Sequence, residues 1–357
     1  MSLAALLDAL PIPIIQAPMV GASLDGLALA VNEAGGMGTL AGGALAPADL
    51  AATITAMKAA SDRPFGVNLL MTSKVSPDAA TVEAALARLA PWYAQLGAPL
   101  PAAPNQYAPD FEAQLAAIAA TAPAVASFTF SILTRDQVQT LQAAGAYVVG
   151  TATTVAEAKA WADVGADGIC AQGFEAGGHR GHFLAEVDAS LVGTMALVAT
   201  IRAAVDLPVI AAGGIMDGRG VAAALALGAA AVQMGTAFML SAEATTPKPW
   251  RRALETAGDD PTVLTRAFTG RHARGVENRF MREMRSVENE VPAYPVQNRL
   301  TQPLRAASAA ADDPEIISLW AGQAVGLARP GAAGEMVRQW WAEAGEAAAE
   351  LAARTRR

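Results

Sequence analysis

The chain has 357 residues, of which 53% are hydrophobic and 16% are charged, and its formal net charge is −8. This apolar composition excludes intrinsic disorder and predicts a large buried core. The acidic balance offers no basic surface, so we expect no nucleic-acid partner. One cysteine and three histidines exclude an internal disulfide framework and argue against a zinc centre, so we also expect no metal.

Two apolar stretches could be mistaken for targeting or membrane segments. The N-terminal segment 1–10 carries no basic residue, which argues against a secretory signal peptide. The uncharged run 220–242 is long enough to span a bilayer, but alanine and glycine dominate it and Gln233 and Thr236 interrupt it. We interpret this run as a buried helix followed by a buried strand. The sequence therefore predicts a cytoplasmic protein without a membrane partner.

Short apolar runs alternate with longer segments rich in alanine and leucine over the first two thirds of the chain. Continuous apolar runs are typical of parallel strands that are covered on both faces. They predict eight strands, at residues 14–19, 37–41, 65–70, 124–130, 146–151, 168–172, 208–212 and 231–234.

Segments of helical composition separate these runs, among them 134–144, 155–164, 189–204 and 219–227. Gly145, Gly165 and Gly228 each close such a segment shortly before a strand. Glycine at this position ends a helix in the left-handed conformation and turns the chain back into the sheet. The repeated junction predicts an α/β fold, a (β/α)8 TIM barrel, with an open doubly wound sheet as the alternative.

Two regions depart from this repeat. The third crossover, 76–122, is long enough for two helices with prolines between them, and after residue 245 the chain becomes charged, irregular and rich in proline. From Pro314 onward the composition predicts a helix. We expect residues 1–245 to form the barrel and residues 246–357 to form a mostly helical C-terminal extension, a lid packed on the barrel. The tail tryptophans Trp320, Trp340 and Trp341 would pack either on the barrel or on a second subunit of a homodimer.

Function in such a barrel lies on the loops after the carboxyl ends of the strands. Ala17, Pro18 and Met19 follow the first strand, and their irregular backbone either approaches a flat ligand or forms an ordinary turn. Asn68 lies near the end of the third strand, where its amide must bond either a ligand or a neighbouring loop.

The strongest local signal is the loop 172–182 after the sixth strand, which contains four glycines and two histidines. Glycines let a backbone pass close to a ligand, and a histidine beside them can act as acid, base or hydrogen-bond donor. We expect His179 to be functional. His182 lies farther from the strand end, and we expect it to be structural.

Glycines also end the seventh and eighth strands, at Gly213 and Gly214 and at Gly235 beside Thr236. In TIM barrels the backbone N–H groups of these two loops bind phosphate together with a helix N-terminus, without basic side chains. No lysine or carboxylate pair lies at the strand ends, which argues against Schiff-base aldolases and glycosidases. A flat cofactor anchored by its phosphate fits better, and FMN is the natural candidate.

At this point the sequence resembles the nitronate monooxygenase family, formerly called 2-nitropropane dioxygenases, which are FMN-dependent TIM barrels. The resemblance is carried by residues 16–19, 32–38, 172–181 with the motif Glu-Ala-Gly-Gly-His, 208–238 and 271–280. It implies that His179 is catalytic and that Tyr294 lines the substrate pocket. The FMN site that it implies consists of Ala17, Pro18, Met19, Asn68, Gln172, Gly177, Gly178, Gly213, Gly214, Gln233, Met234, Gly235 and Thr236.

The resemblance implies a detoxifying oxidation of an alkyl nitronate, such as propionate 3-nitronate, by O2 to a carbonyl compound and nitrite through a flavin semiquinone. His179 would stabilise the nitronate oxygens, or act as a base on a neutral nitroalkane. FMN-dependent NAD(P)H:quinone reductases and enoyl-acyl-carrier-protein reductases have a similar loop, so reduction is the alternative reaction. A flavin-binding or metabolite-binding barrel without turnover is the non-enzymatic alternative.

Overall fold

The computed structural model describes residues 1–356, which contain eleven strands that form one barrel and one small sheet. The barrel strands are parallel and follow one another in the order β1-β9-β8-β6-β5-β4-β3-β2, and a bridge between Ile15 and Met37 brings β1 beside β2. The predicted TIM barrel is therefore confirmed, and each of its eight predicted strands is present. In chain order the strands are β1 (Ile14–Gln16), β2 (Thr39–Ala41), β3 (Gly66–Leu70), β4 (Val125–Thr129), β5 (Tyr147–Ala152), β6 (Gly168–Gln172), β7 (Gly178–His179), β8 (Val209–Ala212), β9 (Ala231–Met234), β10 (Thr262–Thr265) and β11 (Ala273–Val276).

Helices cover the outside of the barrel and make up much of the tail. Gly145, Gly165 and Gly228 follow three of them with φ values of 100°, 91° and 93°, so the predicted left-handed helix ends are confirmed. Within residues 1–356 the α-helices are α1 (Leu3–Asp8), α2 (Asp25–Glu33), α3 (Pro47–Ala60), α4 (Ala79–Gln95), α5 (Phe111–Thr121), α6 (Arg135–Ala143), α7 (Val155–Asp163), α8 (Thr194–Ala204), α9 (Gly218–Ala226), α10 (Lys248–Glu255), α11 (Arg279–Met284), α12 (Val296–Ala310) and α13 (Ala333–Thr355). The long third crossover holds α4 and α5, as predicted.

The interior of the barrel is filled by side chains from the strands and closed by the N-terminal helix. Ile15, Cys170 and Ile210 come from three barrel strands and cluster with Leu3 and Leu7 of α1. Both leucines are almost fully buried. The apolar N-terminal segment is thus part of the hydrophobic core.

The first part of the tail joins the barrel through a small antiparallel sheet. Strand β10 pairs with β11, and β11 pairs with β7, which belongs to the loop after β6. A second hydrophobic cluster, which includes Trp92 of α4, Phe268 and Leu300, holds this part of the tail beside the third crossover. The tail is therefore fixed at the carboxyl end of the barrel, which we call the mouth.

The last part of the tail differs from the expected helix. Short 3-10 turns form at Pro314–Ile316 and Val325–Leu327, and α13 begins only at Ala333, so the prediction of a helix from Pro314 onward is wrong for residues 317–332. The reason is that Ile317 and Leu319 are buried in the core while Trp320 bridges to Gly275 of β11. Helix α13 packs against α9 and α2 on the outside of the barrel. The division at residue 245 stays a prediction.

No helix among the 356 residues described is both long and apolar enough to cross a membrane.

Candidate active site

The loop after β6 is folded back onto its own strand by polar contacts. The Gln172 Oε1 accepts from the Gly181 N–H at 2.8 Å, and its Nε2 donates to the His179 carbonyl at 3.0 Å. The buried guanidinium of Arg180 donates to the Gly173 carbonyl at 2.8 Å and to the Gln172 carbonyl. The side chain of Gln172, which the sequence suggested for cofactor binding, is thus largely engaged in placing His179.

A buried carboxylate anchors the residues that follow. The Glu157 Oε1 accepts from the N–H groups of Phe183 at 2.5 Å and Leu184 at 3.1 Å. Its Oε2 accepts from the N–H and the hydroxyl of Thr153, each at 2.7 Å. Since Glu157 is fully buried, these four donors replace the water that an ionised carboxylate requires. Helix α7 therefore holds the far end of the histidine loop.

His179 lies at the mouth, where residues of the tail surround it. It pairs with Ala273 in the small sheet, and its Nε2 is 2.9 Å from the Thr269 hydroxyl. The rings of Phe130, Tyr294 and Trp320 lie 5.4, 5.5 and 5.7 Å from the imidazole, measured between centroids. The structure thus brings Tyr294 to His179, as the sequence suggested. Phe130, Thr269 and Trp320 were not singled out for the site, and no local pattern distinguishes them.

The imidazole is held neutral. Burial lowers the pKa of His179 from its ordinary 6.5 to about 3, and the positive charges of Arg271 and Arg305 lower it further in the same direction. Burial likewise lowers the pKa of His182 to about 4. The burial and the two nearby arginines therefore favour the neutral imidazole near neutral pH.

Arg271 and Arg305 make the neighbourhood of His179 electropositive. The Arg271 guanidinium lies 4.2 Å above the Phe130 ring and donates to the carbonyls of Arg180 and His182. Arg305 donates to the carbonyl and the side chain of Asn298. Neither arginine has an ion pair with a carboxylate anywhere in residues 1–356. Two partly buried cations that have no carboxylate partner within residues 1–356 favour an anion in this pocket.

The ends of β8 and β9 leave backbone donors unpaired. Gly213 and Gly214 have φ values of 114° and 73°, a region that favours glycine. Among the described residues, the N–H groups of Gly213, Gly214 and Gly235 donate to no protein acceptor. The Thr236 hydroxyl accepts from the Gly322 N–H at 2.9 Å, so its own hydrogen is free to donate. These groups together form a set of donors suited to an anion.

The first turn of α9 is not part of this donor set. Asp217 accepts from the N–H groups of Arg219 and Gly220 at 3.0 and 3.1 Å. The expectation that a helix N-terminus completes the phosphate site therefore does not apply to α9, because its own cap occupies it. The donors come instead from the loop after β8 and from the start of the 3-10 turn Thr236–Phe238 after β9. Glu175 joins the loop after β6 to the start of α8, since it accepts from the Thr194 N–H and hydroxyl at 2.9 and 2.8 Å.

The remaining predicted site residues fall into two groups. A Cβ on Gly235 would lie 3.4 Å from Ala17 and 3.7 Å from the Met19 sulfur, so the loops that follow β1 and β9 meet. Met234 is buried in the core, and only its backbone, which accepts from the Ala17 N–H at 2.8 Å, faces the neighbouring loop. Pro18 lies between Ala17 and Met19 and is partly buried.

The other predicted site residues around the mouth differ in how far contacts within the chain already occupy them. They are Asn68, Gln233, Gly177 and Gly178. The Asn68 Nδ2 donates to Ser127, whereas its Oδ1 has no partner among the described residues. The Gln233 Nε2 has only a long 3.5 Å contact to the Cys170 sulfur. Gly178 has φ 72° and open space on its Cβ side, but a Cβ on Gly177 would lie 2.6 Å from the Gly322 nitrogen. Gly177 is therefore held against the tail.

The donor set fits a flat cofactor that ends in a phosphate. Within residues 1–356, unpaired N–H groups lie at one side of the mouth, and the Asn68 Oδ1 and the weakly bonded amide of Gln233 lie along it. Residues 1–356 contain no group of three or more His, Cys, Asp or Glu side chains that could hold a metal ion.

Known proteins with the same architecture identify the family. A model of the nitronate monooxygenase family matches residues 4–343. A probable nitronate monooxygenase of Staphylococcus aureus strain Newman is 41% identical over 317 residues, which are 88% of this chain and 89% of that protein. The structure of a nitroalkane oxidase from Streptomyces ansochromogenes is 42% identical and covers 97% of this chain and 99% of its own, with a TM-score of 0.90. FabK from Thermotoga maritima is 30% identical over 98% of both chains, with a TM-score of 0.76. The chain therefore belongs to the nitronate monooxygenase family and is an oxidoreductase.

Proposed function

We propose that the chain is an FMN-dependent enzyme that oxidises an alkyl nitronate with O2 to a carbonyl compound and nitrite. The observation that supports this most strongly is the pocket around His179. A neutral imidazole lies there among three aromatic rings, beside two arginines that have no carboxylate partner within residues 1–356. A nitronate is a small organic anion, and this combination of apolar walls and positive charge suits it.

FMN would be held by its phosphate at the ends of β8 and β9 and by its ring along the mouth. The unpaired N–H groups of Gly213, Gly214 and Gly235 and the Thr236 hydroxyl would receive the phosphate. Asn68 and Gln233 would meet the polar edge of the ring. The remaining residues, which would line the cofactor mainly with backbone, are Ala17, Pro18, Met19, Gln172, Gly177, Gly178 and Met234.

Bound FMN supplies the electron transfer that the side chains of the chain cannot perform. Arg271 and Arg305 would attract the anionic substrate into the pocket. Phe130, Tyr294 and Trp320 would exclude water around it, which strengthens each electrostatic contact. His179 would contact the substrate as the catalytic residue.

The deciding experiment mixes the purified yellow protein anaerobically with propionate 3-nitronate and, separately, with NADH or NADPH. We expect the nitronate to change the flavin spectrum and neither nucleotide to bleach it. On admission of O2, nitronate consumption and nitrite release should proceed together. Rapid bleaching by a nucleotide without nitronate turnover would establish the alternative, an NAD(P)H-dependent reductase on the same scaffold.

The role of His179 is tested by His179→Asn, with His272→Asn as the matched control. The variant should keep its flavin while kcat falls at least tenfold, which corresponds to about 1.4 kcal/mol of transition-state stabilisation. The side chain of His272 makes no hydrogen bond within residues 1–356, so its replacement should leave kcat unchanged. Equal turnover in the wild type and His179→Asn would remove His179 from the reaction.

The assembly and the location of the protein remain predictions of the sequence. Trp320 packs within its own chain against Phe268, and Trp340 packs against Phe238. Trp341 is 38% exposed, so of the three tail tryptophans it is the one that a second subunit could cover. We propose a cytoplasmic enzyme and, on Trp341, a homodimer that sedimentation of the purified protein would reveal.

A further inference from the structure

The direct partner of the His179 imidazole is a buried hydroxyl. Thr269 lies in the loop between β10 and β11 and is only 1% exposed. Its Oγ1 is 2.9 Å from the His179 Nε2. The same oxygen is 3.0 Å from the carbonyl oxygen of Arg271 and 3.4 Å from the Arg271 N–H. The hydroxyl therefore stands between the imidazole and the backbone of the tail.

The single hydrogen of this hydroxyl can serve only one of its two neighbours as a donor. The Arg271 carbonyl accepts from no other donor among residues 1–356, and a carbonyl in a partly buried loop requires one. The Thr269 hydrogen therefore goes to that carbonyl, and the Thr269 oxygen must accept from the imidazole. Consequently the Nε2 of His179 carries the ring hydrogen.

The other ring nitrogen is left for the pocket. A neutral imidazole has one N–H, so the Nδ1 of His179 then carries a lone pair. This Nδ1 makes no hydrogen bond with the described part of the chain and is not fully enclosed by it, so it is open to a partner from outside the chain. The lowered pKa of His179 supports the neutral state that this assignment needs.

We propose that Thr269 is a positioning residue that holds His179 as the Nε2–H tautomer, so that Nδ1 faces the substrate as an acceptor. The proposal rests on the proposed function, because it takes His179 as the residue that meets the substrate. It separates the two roles considered for His179. An imidazole held in this way could accept a hydrogen bond or a proton from a neutral nitroalkane, and it could not donate from Nδ1 to the oxygens of a nitronate.

The oxygens of a nitronate would then find their donors elsewhere in the pocket. Tyr294 is suited to this role, since its ring lies 5.5 Å from the imidazole and its hydroxyl is a hydrogen-bond donor. Arg271 and Arg305 lie near Tyr294, and their positive charges would also attract the nitronate oxygens.

The test is nitrogen NMR of the flavin-loaded protein labelled in its histidines, with the signals assigned through His179→Asn. We expect His179 to show a protonated Nε2 and an unprotonated Nδ1 at neutral pH. In Thr269→Val the Nε2 proton should exchange freely with water and the tautomers should mix. Thr269→Ser, which restores the hydroxyl, should restore the protected Nε2 proton.

Thr301→Val provides the matched control. Thr301 is also fully buried and donates from α12 to the Phe268 carbonyl, in the same loop, at 2.5 Å, but it does not touch His179. Its replacement should destabilise the loop comparably and leave the His179 signals unchanged.

Protonated Nδ1 in the wild type would overturn the proposal, and so would an Nε2 proton that stays equally protected in Thr269→Val. If Thr269→Val fails to fold, the wild-type spectrum alone still decides the tautomer. The spectrum is read without turnover. A failed nitronate assay with the expected tautomer would therefore count against the proposed function and not against the role of Thr269.

Discussion

The neutral state of His179 should have a measurable cost in acid. Burial, followed by Arg271 and Arg305, lowers the pKa of His179 from 6.5 to about 3 in the folded protein. The unfolded chain takes up a proton near the ordinary value, whereas the folded chain does not until the pH approaches 3. The contribution of His179 to stability is therefore complete above 6.5 and is lost as the pH falls from there toward 3.

The size of this effect follows from the two pKa values. At about pH 5 the unfolded imidazole is almost fully protonated and the folded one is not, which lowers the free energy of unfolding by about 2 kcal/mol. In His179→Asn this loss is absent. His182 and His272, whose pKa values are also lowered by burial, are present in both proteins, and their contributions cancel in the difference.

The assay is urea unfolding of the flavin-loaded wild type and His179→Asn, followed by tryptophan fluorescence at about pH 7 and about pH 5. Between about pH 7 and about pH 5, the free energy of unfolding of the wild type should fall by about 2 kcal/mol more than that of the variant. An equal fall in the free energy of unfolding of the two proteins would refute the reasoning, because it would show that His179 keeps its ordinary pKa in the folded protein.

Three further substitutions test the supports of the site. Gly214→Val places a β-branched residue at φ 73° with its Cβ 3.0 Å from Glu175, and it should lose flavin, read from the absorbance of the purified protein. Gly145→Val has comparable strain without near neighbours and should keep its flavin. Glu157→Gln turns an amide toward two of its four donors and should cost about 2 to 6 kcal/mol in urea unfolding; an unchanged midpoint would contradict the anchoring role. Arg305→Met removes a cation near His179, so NMR titration should show a raised pKa for that imidazole; an unchanged pKa would contradict the influence of Arg305.

The barrel could be predicted from the sequence because its signals are local. Each strand is a short apolar run, and the glycines that end α6, α7 and α9 lie within a few residues of the strands that follow. The tail was harder to predict. The segment after Pro314 has a composition that suits a helix, but tertiary burial of Ile317 and Leu319 holds it extended.

The sequence by itself determined the barrel, the glycine-lined strand ends and the histidine that follows β6, since all of these depend on residues close together in the chain. Only the tertiary structure decided what surrounds His179. Thr269, Arg271 and Arg305 come from the tail, and contacts between distant segments leave no periodic trace in a single sequence. Those contacts fix the charge of the imidazole, because desolvation and neighbouring cations act through space rather than along the chain.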